Sequence, residues 1–260
     1  MNSTALITGA SSGIGRELAR IHAKKGGDVV AIASRQPGLD ALKEELEAAH
    51  GISVHVIAKD LSKPGAGAEI YDEVKAAGIE ISTLINNAGF GGQGAFHERE
   101  WERDRAMINV NIMALTELTR LFLPDLIARG SGRILNVSST AGEMPGPLQA
   151  VYYATKAYVT SFSNAIAEEL KDTGVTVTAL LPGATETGFS NASGLDKTDL
   201  FAKTASAEDV AKAGYEAMEA GKLDVVAGVS TMQRAMIALA PLLPKRMLMQ
   251  QVAKLQETKA

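Results

Sequence analysis

Tyr152 and Lys156 stand four residues apart in the run Ala150-Val-Tyr-Tyr-Ala-Thr-Lys-Ala157, and Ser138-Ser139 lie fourteen and thirteen residues before the tyrosine. Residues i and i+4 share a helix face, so a phenol and an ammonium spaced in this way can act as one unit. At about 4 Å and an effective dielectric of about 20, a cation favours a neighbouring phenolate by roughly 4 kcal/mol before desolvation is set against it. One pKa unit corresponds to about 1.36 kcal/mol, so a tyrosine starting near ~10 is drawn towards neutrality. A phenol tuned in that way can give or take a proton at physiological pH. Taken alone, the pair is also the pattern of an ordinary solvated helix pair, and its meaning depends on what else the chain carries.

The elements that must position it begin at the N-terminus. Thr4-Ala-Leu-Ile-Thr8 is a short apolar run, followed by Gly9-Ala-Ser-Ser-Gly13-Ile-Gly15 and then by a segment of helical period, Arg16-Glu-Leu-Ala-Arg-Ile-His-Ala-Lys24. Strand, glycine turn and helix start come in the order that brings a pyrophosphate onto backbone N–H groups at the positive end of a helix. Gly9 permits a tight turn, Gly13 close backbone approach and Gly15 close packing of helix on strand. The spacing is G-x-x-x-G-x-G rather than G-x-G-x-x-G, and with no Gly-Lys-Ser/Thr after it a Walker P-loop is excluded.

Together these segments resemble the short-chain dehydrogenase/reductase family, and the resemblance runs from Thr4 to about Thr187. Asn86-Asn87-Ala88-Gly89 matches the family's Asn-Asn-Ala-Gly, and Asn111 its active-site helix asparagine. Gly132-Arg-Ile-Leu-Asn-Val-Ser-Ser139 matches the strand leading to its catalytic serine, and Pro182-Gly183-Ala-Thr-Glu-Thr187 its Pro-Gly-x-x-x-Thr stretch. Thr185 departs from the family, which more often has an aliphatic residue there whose backbone meets the nicotinamide carboxamide.

The resemblance implies a catalytic set of Asn111, Ser139, Tyr152 and Lys156. Tyr152 would exchange the proton and Ser139 would bond the substrate carbonyl. Lys156 would bond the nicotinamide ribose and lower the tyrosine pKa, while Asn111 would distort its helix and hold a water towards Lys156. The cofactor cradle implied comprises Gly9, Ser11, Ser12, Gly13, Ile14, Gly15, Asp60, Leu61, Asn87, Ala88, Gly89, Pro182, Gly183, Thr185 and Thr187, together with Tyr152 and Lys156. Asp60 would lie beside the adenine, although a cap on a helix starting near Pro64 would also use it. Ser138 is the serine of the pair that the family does not use. Tyr153, rotated by about 100° around the helix, is expected to stay out of the chemistry.

Cofactor choice is read at the end of the second strand. An NAD enzyme places a carboxylate there for the ribose hydroxyls. Here Ser34 takes that place and Arg35 follows it. A serine does not repel a 2′-phosphate and a guanidinium pairs with it through two bonds, so NADP(H) is expected. The expected activity is hydride transfer between NADP(H) and a small-molecule carbonyl or alcohol. A non-catalytic NADP sensor or scaffold, or a lyase or epimerase using the same Tyr-Lys pair, are the alternatives. An intact Ser139, Tyr152, Lys156 and Asn111 argues against the first.

Apolar runs alternate with longer helical ones, which predicts a doubly wound parallel sheet of about seven strands in one Rossmann-type domain over 1–260. The strands are expected at Ala5–Thr8, Asp28–Ala33, Ser53–Ala58, Thr83–Asn86, Arg133–Val137, Thr176–Leu181 and Asp224–Ala227. Helices are expected near 14–25, 39–49, 66–77, 98–128, 151–172 and 206–220, with strand 1 central and the order reversing beside it. Pro124 should kink the last turns of the fourth. The irregular stretch of about 183–205 is read as a substrate loop.

The chain has 260 residues, is 46% hydrophobic and carries a net charge of −4, which gives no nucleic-acid footprint. Without cysteine no disulfide framework exists, and a cytoplasmic location is expected. No signal peptide and no apolar stretch of membrane-spanning length are read. His22, His50, His55 and His97 are scattered, so no metal site is expected, and His55 alternates with Val54 and Val56 as the outward position of a strand. The apolar, methionine-rich segment of about 230–250 could line an acyl or ring pocket or lie on a membrane surface; packing against a partner subunit is preferred. A homodimer or homotetramer is expected through the long helices at 98–128 and 151–172. Either the stripe Val159, Phe162, Ile166 and Leu170 or the set Leu115, Leu118 and Phe122 must cover the sheet.

Overall fold

The computed structural model describes residues 3–195, 198 and 204–256. Seven parallel strands form one sheet: β1 (Thr4–Thr8), β2 (Asp28–Ala33), β3 (Val54–Ala58), β4 (Thr83–Asn86), β5 (Gly132–Val137), β6 (Val175–Pro182) and β7 (Asp224–Ala227). Their order is β3-β2-β1-β4-β5-β6-β7, so the chain reverses its direction of winding between β1 and β4, beside the first strand as expected. All seven expected strands are present, with ends that move by a residue.

The apolar runs read as strands because both faces of the sheet are covered, and their residues alternate between two cores. Ala5, Ile7, Val29, Ala31, Ile85 and Leu135 face one layer. Leu6, Val30, Ile32, Leu84 and Ile134 face the other. The first layer is built by α1 (Gly13–Lys24), α2 (Gln36–His50) and, later in the chain, the helix Ala207–Glu219. The second is built by α3 (Ala66–Ala76) and by the helices Leu115–Arg129 and Ala150–Glu169.

The helical stretch expected at 98–128 is divided. A short 3-10 turn (Phe96–Glu98) precedes α4 (Trp101–Ile108), a π-helical turn spans Asn109–Ala114, and α5 (Leu115–Arg129) continues through Pro124 on its exposed side. The continuous span Trp101–Arg129 is long and apolar enough to cross a membrane by length and composition, which corrects the sequence reading. In this fold Leu118, Phe122 and Leu126 seat it on the sheet. Then come α6 (Ala150–Glu169), α7 (Phe189–Ser193), α8 (Ala207–Glu219), α9 (Thr231–Leu239) and α10 (Lys245–Gln256). The last two were not expected as helices. Within the expected substrate loop of 183–205, residues 196–197 and 199–203 lie outside the described residues, as do the two ends of the expected domain, 1–2 and 257–260.

Val159 and Leu170 of the α6 stripe are buried, and Ile166 packs on the second core, to which Leu118 and Phe122 belong; Leu115 is buried beside them in the chain. Both sets therefore cover the sheet, and the two helices share that work. Phe162 alone of the stripe turns outward, stacking on Tyr158 with ring centroids 5.7 Å apart.

Candidate active site

The carboxyl ends of the strands open onto a cavity of about 880 Å³ at the point where the winding reverses, the place where open α/β sheets bind ligands. One end is the glycine turn. Gly9 and Gly13 have φ of +68° and +53°, a region that disfavours side chains. A Cβ on Gly15 would collide with the Gly9 carbonyl and the Asn87 carboxamide, so this glycine packs behind the wall instead of lining it. Gly13 faces Thr187, whose Cγ2 would lie 2.9 Å from a Cβ there. The loop after β4 is stitched to the end of β1. Asn87 and Ala88 both donate their backbone N–H to the Thr8 hydroxyl at 2.9 Å, and Asn87 Nδ2 donates to the Thr8 carbonyl at 2.8 Å.

At the far end of β2, Ser34 and Arg35 are exposed on the cavity wall, with Arg35 as the N-terminal flank of α2. Lys59, one strand further out, shares that wall and pairs with Glu69 at 2.6 Å. Asp60 accepts the backbone N–H of Ser62 at 2.9 Å, which holds its carboxyl below the usual range. It does not cap α3, whose N-terminal flank is Gly65 in a left-handed conformation. Leu61 lines the same end.

The opposite end holds the titratable pair. Ser139 lies two residues past the end of β5 and flanks a 3-10 turn (Thr140–Glu143), its Oγ accepting from the Ala141 N–H at 3.1 Å and donating to the Pro182 carbonyl at 3.5 Å. Tyr152 and Lys156 are buried side by side on α6, the ammonium 5.9 Å from the ring centroid. The lysine donates to the Val137 carbonyl at 2.8 Å. Here the electrostatic expectation is corrected. Burial pushes Tyr152 up to about 12, with Ser139 pulling the other way, and burial pulls Lys156 down to about 8. Desolvation penalises both charged forms and outweighs the attraction that the spacing suggested.

Asn111 stands behind the wall, in the π-helical turn. Its Nδ2 donates to the Phe90 carbonyl and to Thr155 Oγ1, both at 3.0 Å, and its Oδ1 accepts the Phe90 N–H at 3.1 Å. The extra residue in that turn lets one carboxamide tie the β4 loop to α6. Ser138 is spent on structure, bonding the Lys156 carbonyl and Thr160 Oγ1. Pro182 and Gly183 line the wall where β6 ends. Thr185 turns its hydroxyl to the Gly183 carbonyl at 2.9 Å and bridges to Ala205, and Thr187 accepts the Phe189 N–H at 3.2 Å. Every expected site residue except Gly15 and Asn111 therefore borders one cavity.

Sequence reasoning missed part of the wall. Tyr153 borders the same cavity, edge-on to Tyr152 at 6.1 Å, although its hydroxyl is bonded to Gln256 at 2.9 Å. Gln149 is 1% exposed, lines the cavity, and neither the oxygen nor the nitrogen of its side-chain carboxamide meets a partner among the described residues. Leu148 before it has φ of +65°, the only positive value on a non-glycine among the described residues. That geometry costs roughly 1–2 kcal/mol and is held by Gly94, whose N–H donates to the Leu148 carbonyl at 2.9 Å. No sequence signal marks Gln149 beyond its place ahead of the helix. Phe90, Met144, Phe189 and Leu248 give this end an apolar lining.

The chain matches the short chain dehydrogenase family over residues 3–198. It belongs to the short-chain dehydrogenase family. This short-chain dehydrogenase is 36% identical over 203 residues to the very-long-chain 3-oxoacyl-CoA reductase of Anas platyrhynchos, covering 74% of this chain and 63% of that protein. The chain thus spans less than two thirds of the length of that curated relative. The short-chain dehydrogenase from Sphingobium yanoikuyae solved in complex with NADPH is similar at a TM-score of 0.83 and 30% identity, over 99% of both chains. The bulky-bulky ketone specific alcohol dehydrogenase from Comamonas testosteroni gives a TM-score of 0.79 at 27% identity, over 99% of this chain and 97% of that one. The protein is an oxidoreductase of this family.

Proposed function

We propose that the protein is an NADP(H)-dependent reductase that interconverts an apolar ketone, with a 3-oxoacyl thioester as the leading candidate, and its alcohol. The observation that carries the reading is Ser139, Tyr152 and Lys156 at one end of a cavity whose other end is a glycine turn with Ser34 and Arg35. The cradle suits a dinucleotide phosphate. Gly9 and Gly13 leave the backbone bare, no carboxylate stands at position 34, and Arg35 has no ion-pair partner among the described residues. Arg35 would hold the 2′-phosphate, with Lys59 next to it, and the Asn87–Gly89 loop and Pro182–Thr187 would flank the nicotinamide half. When bound, the dinucleotide supplies the hydride.

The chain's own residues do the rest. Ser139 Oγ bonds the substrate carbonyl oxygen and orients it towards the Tyr152 hydroxyl. Tyr152, kept protonated by burial, gives its proton to that oxygen as the alcohol forms, and takes it back in oxidation. Lys156, held by Val137 and by the loop that Asn111 secures, keeps a positive charge beside the phenol as it loses its proton. Gln149 supports a substrate with a second polar group near the reacting carbonyl, because a buried carboxamide left unbonded is costly. A 3-oxoacyl thioester has such a group, and Phe90, Met144 and Phe189 suit its chain.

The test is NADPH oxidation followed by absorbance with a simple ketone, a bulky ketone and a 3-oxoacyl thioester. Stoichiometric oxidation, fastest with the thioester and slower with NADH, is expected. Turnover without net NADPH oxidation would replace the reading with lyase or epimerase chemistry.

A further inference from the structure

We propose that the C-terminal face formed by α9, the 3-10 turn Ala240–Leu242 and α10 docks on an anionic lipid bilayer and opens the cavity towards it. Helix α9 has no buried residue. A helix of nine residues does not hold itself in water, where isolated helices below about 12–15 residues are marginal, so it needs a surface to lie on. One side of α9 supplies Met236 and Leu239 to the cavity rim, and both are also exposed. Met232, one turn before Met236 on the same side of the helix, is 75% exposed, and the following turn presents Leu242, 80% exposed. Met247 on α10 is 49% exposed as well. An exposed apolar surface joined to the mouth of an apolar cavity is unusual for a face that meets only water.

The charge pattern selects the occupant. Between Val225 and Gln256 the sequence holds Arg234, Lys245, Arg246 and Lys254 and no Asp or Glu, in a chain whose net charge is −4. Arg234 is tied to the Val226 carbonyl at 2.8 Å, while Lys245, Arg246 and Lys254 are exposed on α10. Apolar side chains flanked by cations without an acid among them match an anionic lipid surface. Two copies joined face to face by a twofold axis would instead bring the same cations together. An apolar substrate would then pass between lipid and cavity past Met236 and Leu239. That route rests on the reductase reading, whereas the docking itself does not.

Flotation of the full chain with vesicles of phosphatidylcholine, with and without phosphatidylglycerol, tests the docking without any turnover assay. Binding to the vesicles containing phosphatidylglycerol is expected, and weaker binding to phosphatidylcholine alone. Met232→Glu with Leu242→Glu, neither lining the cavity, should lower binding at least tenfold while circular dichroism and turnover of a water-soluble ketone stay unchanged. Should that pair not fold, Lys245→Gln with Arg246→Gln reads the same face. At about fivefold per charge near the surface it should weaken binding to the anionic vesicles roughly 30-fold and leave the neutral ones alone. No flotation of the wild type, or flotation unaffected by both double variants, overturns the proposal. So does a dimer that the Met232→Glu, Leu242→Glu protein loses without any vesicle binding, since a second copy would then own the face.

Discussion

Tyr152 has to release a proton from a place where burial raises its pKa to about 12. A phenol held so firmly protonated is a standing donor for reduction, and its release is coupled to the charge that develops on the substrate oxygen. Replacing it with Phe removes the donor but little of the cradle. Turnover should fall roughly 10²–10⁴-fold, the range that a positioned acid contributes, while NADPH affinity by fluorescence titration stays within a few-fold; wild-type turnover would remove Tyr152 from the chemistry. Lys156 titrates within reach of assay, at about 8. Its pKa is lowered, so the charge present below that value is lost as pH rises through it, well before an ordinary lysine near ~10.4. The value of kcat/KM for NADPH, which reports the free enzyme, should therefore decline above about pH 8; a decline that starts only above about pH 10 would contradict the role. Arg35→Asp should weaken NADPH roughly ten- to a hundredfold and improve NADH relative to it, because a charge-assisted contact worth about 1.5–3 kcal/mol gives way to repulsion. Equal preference in mutant and wild type would place the phosphate elsewhere.

Among the elements, His22 shows how α1 is fixed to the rest of the first layer. Buried at 2% exposure, it bonds the Tyr215 hydroxyl of α8 at 2.8 Å through Nδ1 and the Ser3 carbonyl at 3.1 Å through Nε2, and its ring fills the space that a Cβ on Gly27 would need. Burial lowers its pKa, against the pull of Asp28 and Glu219. The unfolded chain therefore binds the proton more readily, and the stability held above the unfolded pKa of about 6.5 is lost as pH falls below it. Urea unfolding at about pH 7.5 and 5.5 should show a larger loss for wild type than for His22→Gln; equal losses would sink the assignment. From the sequence this histidine was one of four scattered ones, because only the fold brings Tyr215 to it. Strands were legible since residues buried on both faces leave unbroken apolar runs, as in Asp28–Ala33. The helix 98–128 was legible in extent but not in its π-helical turn, which depends on Asn111 reaching Phe90 and Thr155 across the fold. Helices α9 and α10 were missed behind Pro241 and Pro244, although Ser230 and Gln233 form a capping box whose S-x-x-Q signature stands in the sequence. The catalytic set followed from motifs at fixed spacing. Gln149 and Tyr153 did not, because their place on the wall follows from the strained turn at Leu148 and the arrival of α10.

At the scale of the whole molecule, two of the exposed apolar faces among the described residues call for different partners. The first is the C-terminal face, whose segment 225–256 carries cations and no Asp or Glu. The second is the outer side of the π-helical turn, α5 and α6, where Met113 of the turn is 59% exposed and Tyr158, stacked on Phe162, hydrogen-bonds Thr116 across α5 and α6 at 3.0 Å. Both helices already seat their inner sides on the sheet, so this outer side is free to meet its own copy about a twofold axis, which makes one patch serve both subunits. We propose a homodimer or homotetramer built on it. Light scattering at micromolar concentration should give a multiple of 27.3 kDa, and Met113→Asp with Tyr158→Asp should reduce it to that single mass while vesicle flotation through the other face persists. A wild-type mass of one chain would refute the assembly. A mass that falls only when Met232 and Leu242 are changed would move the subunit contact to the C-terminal face and leave none of it for lipid.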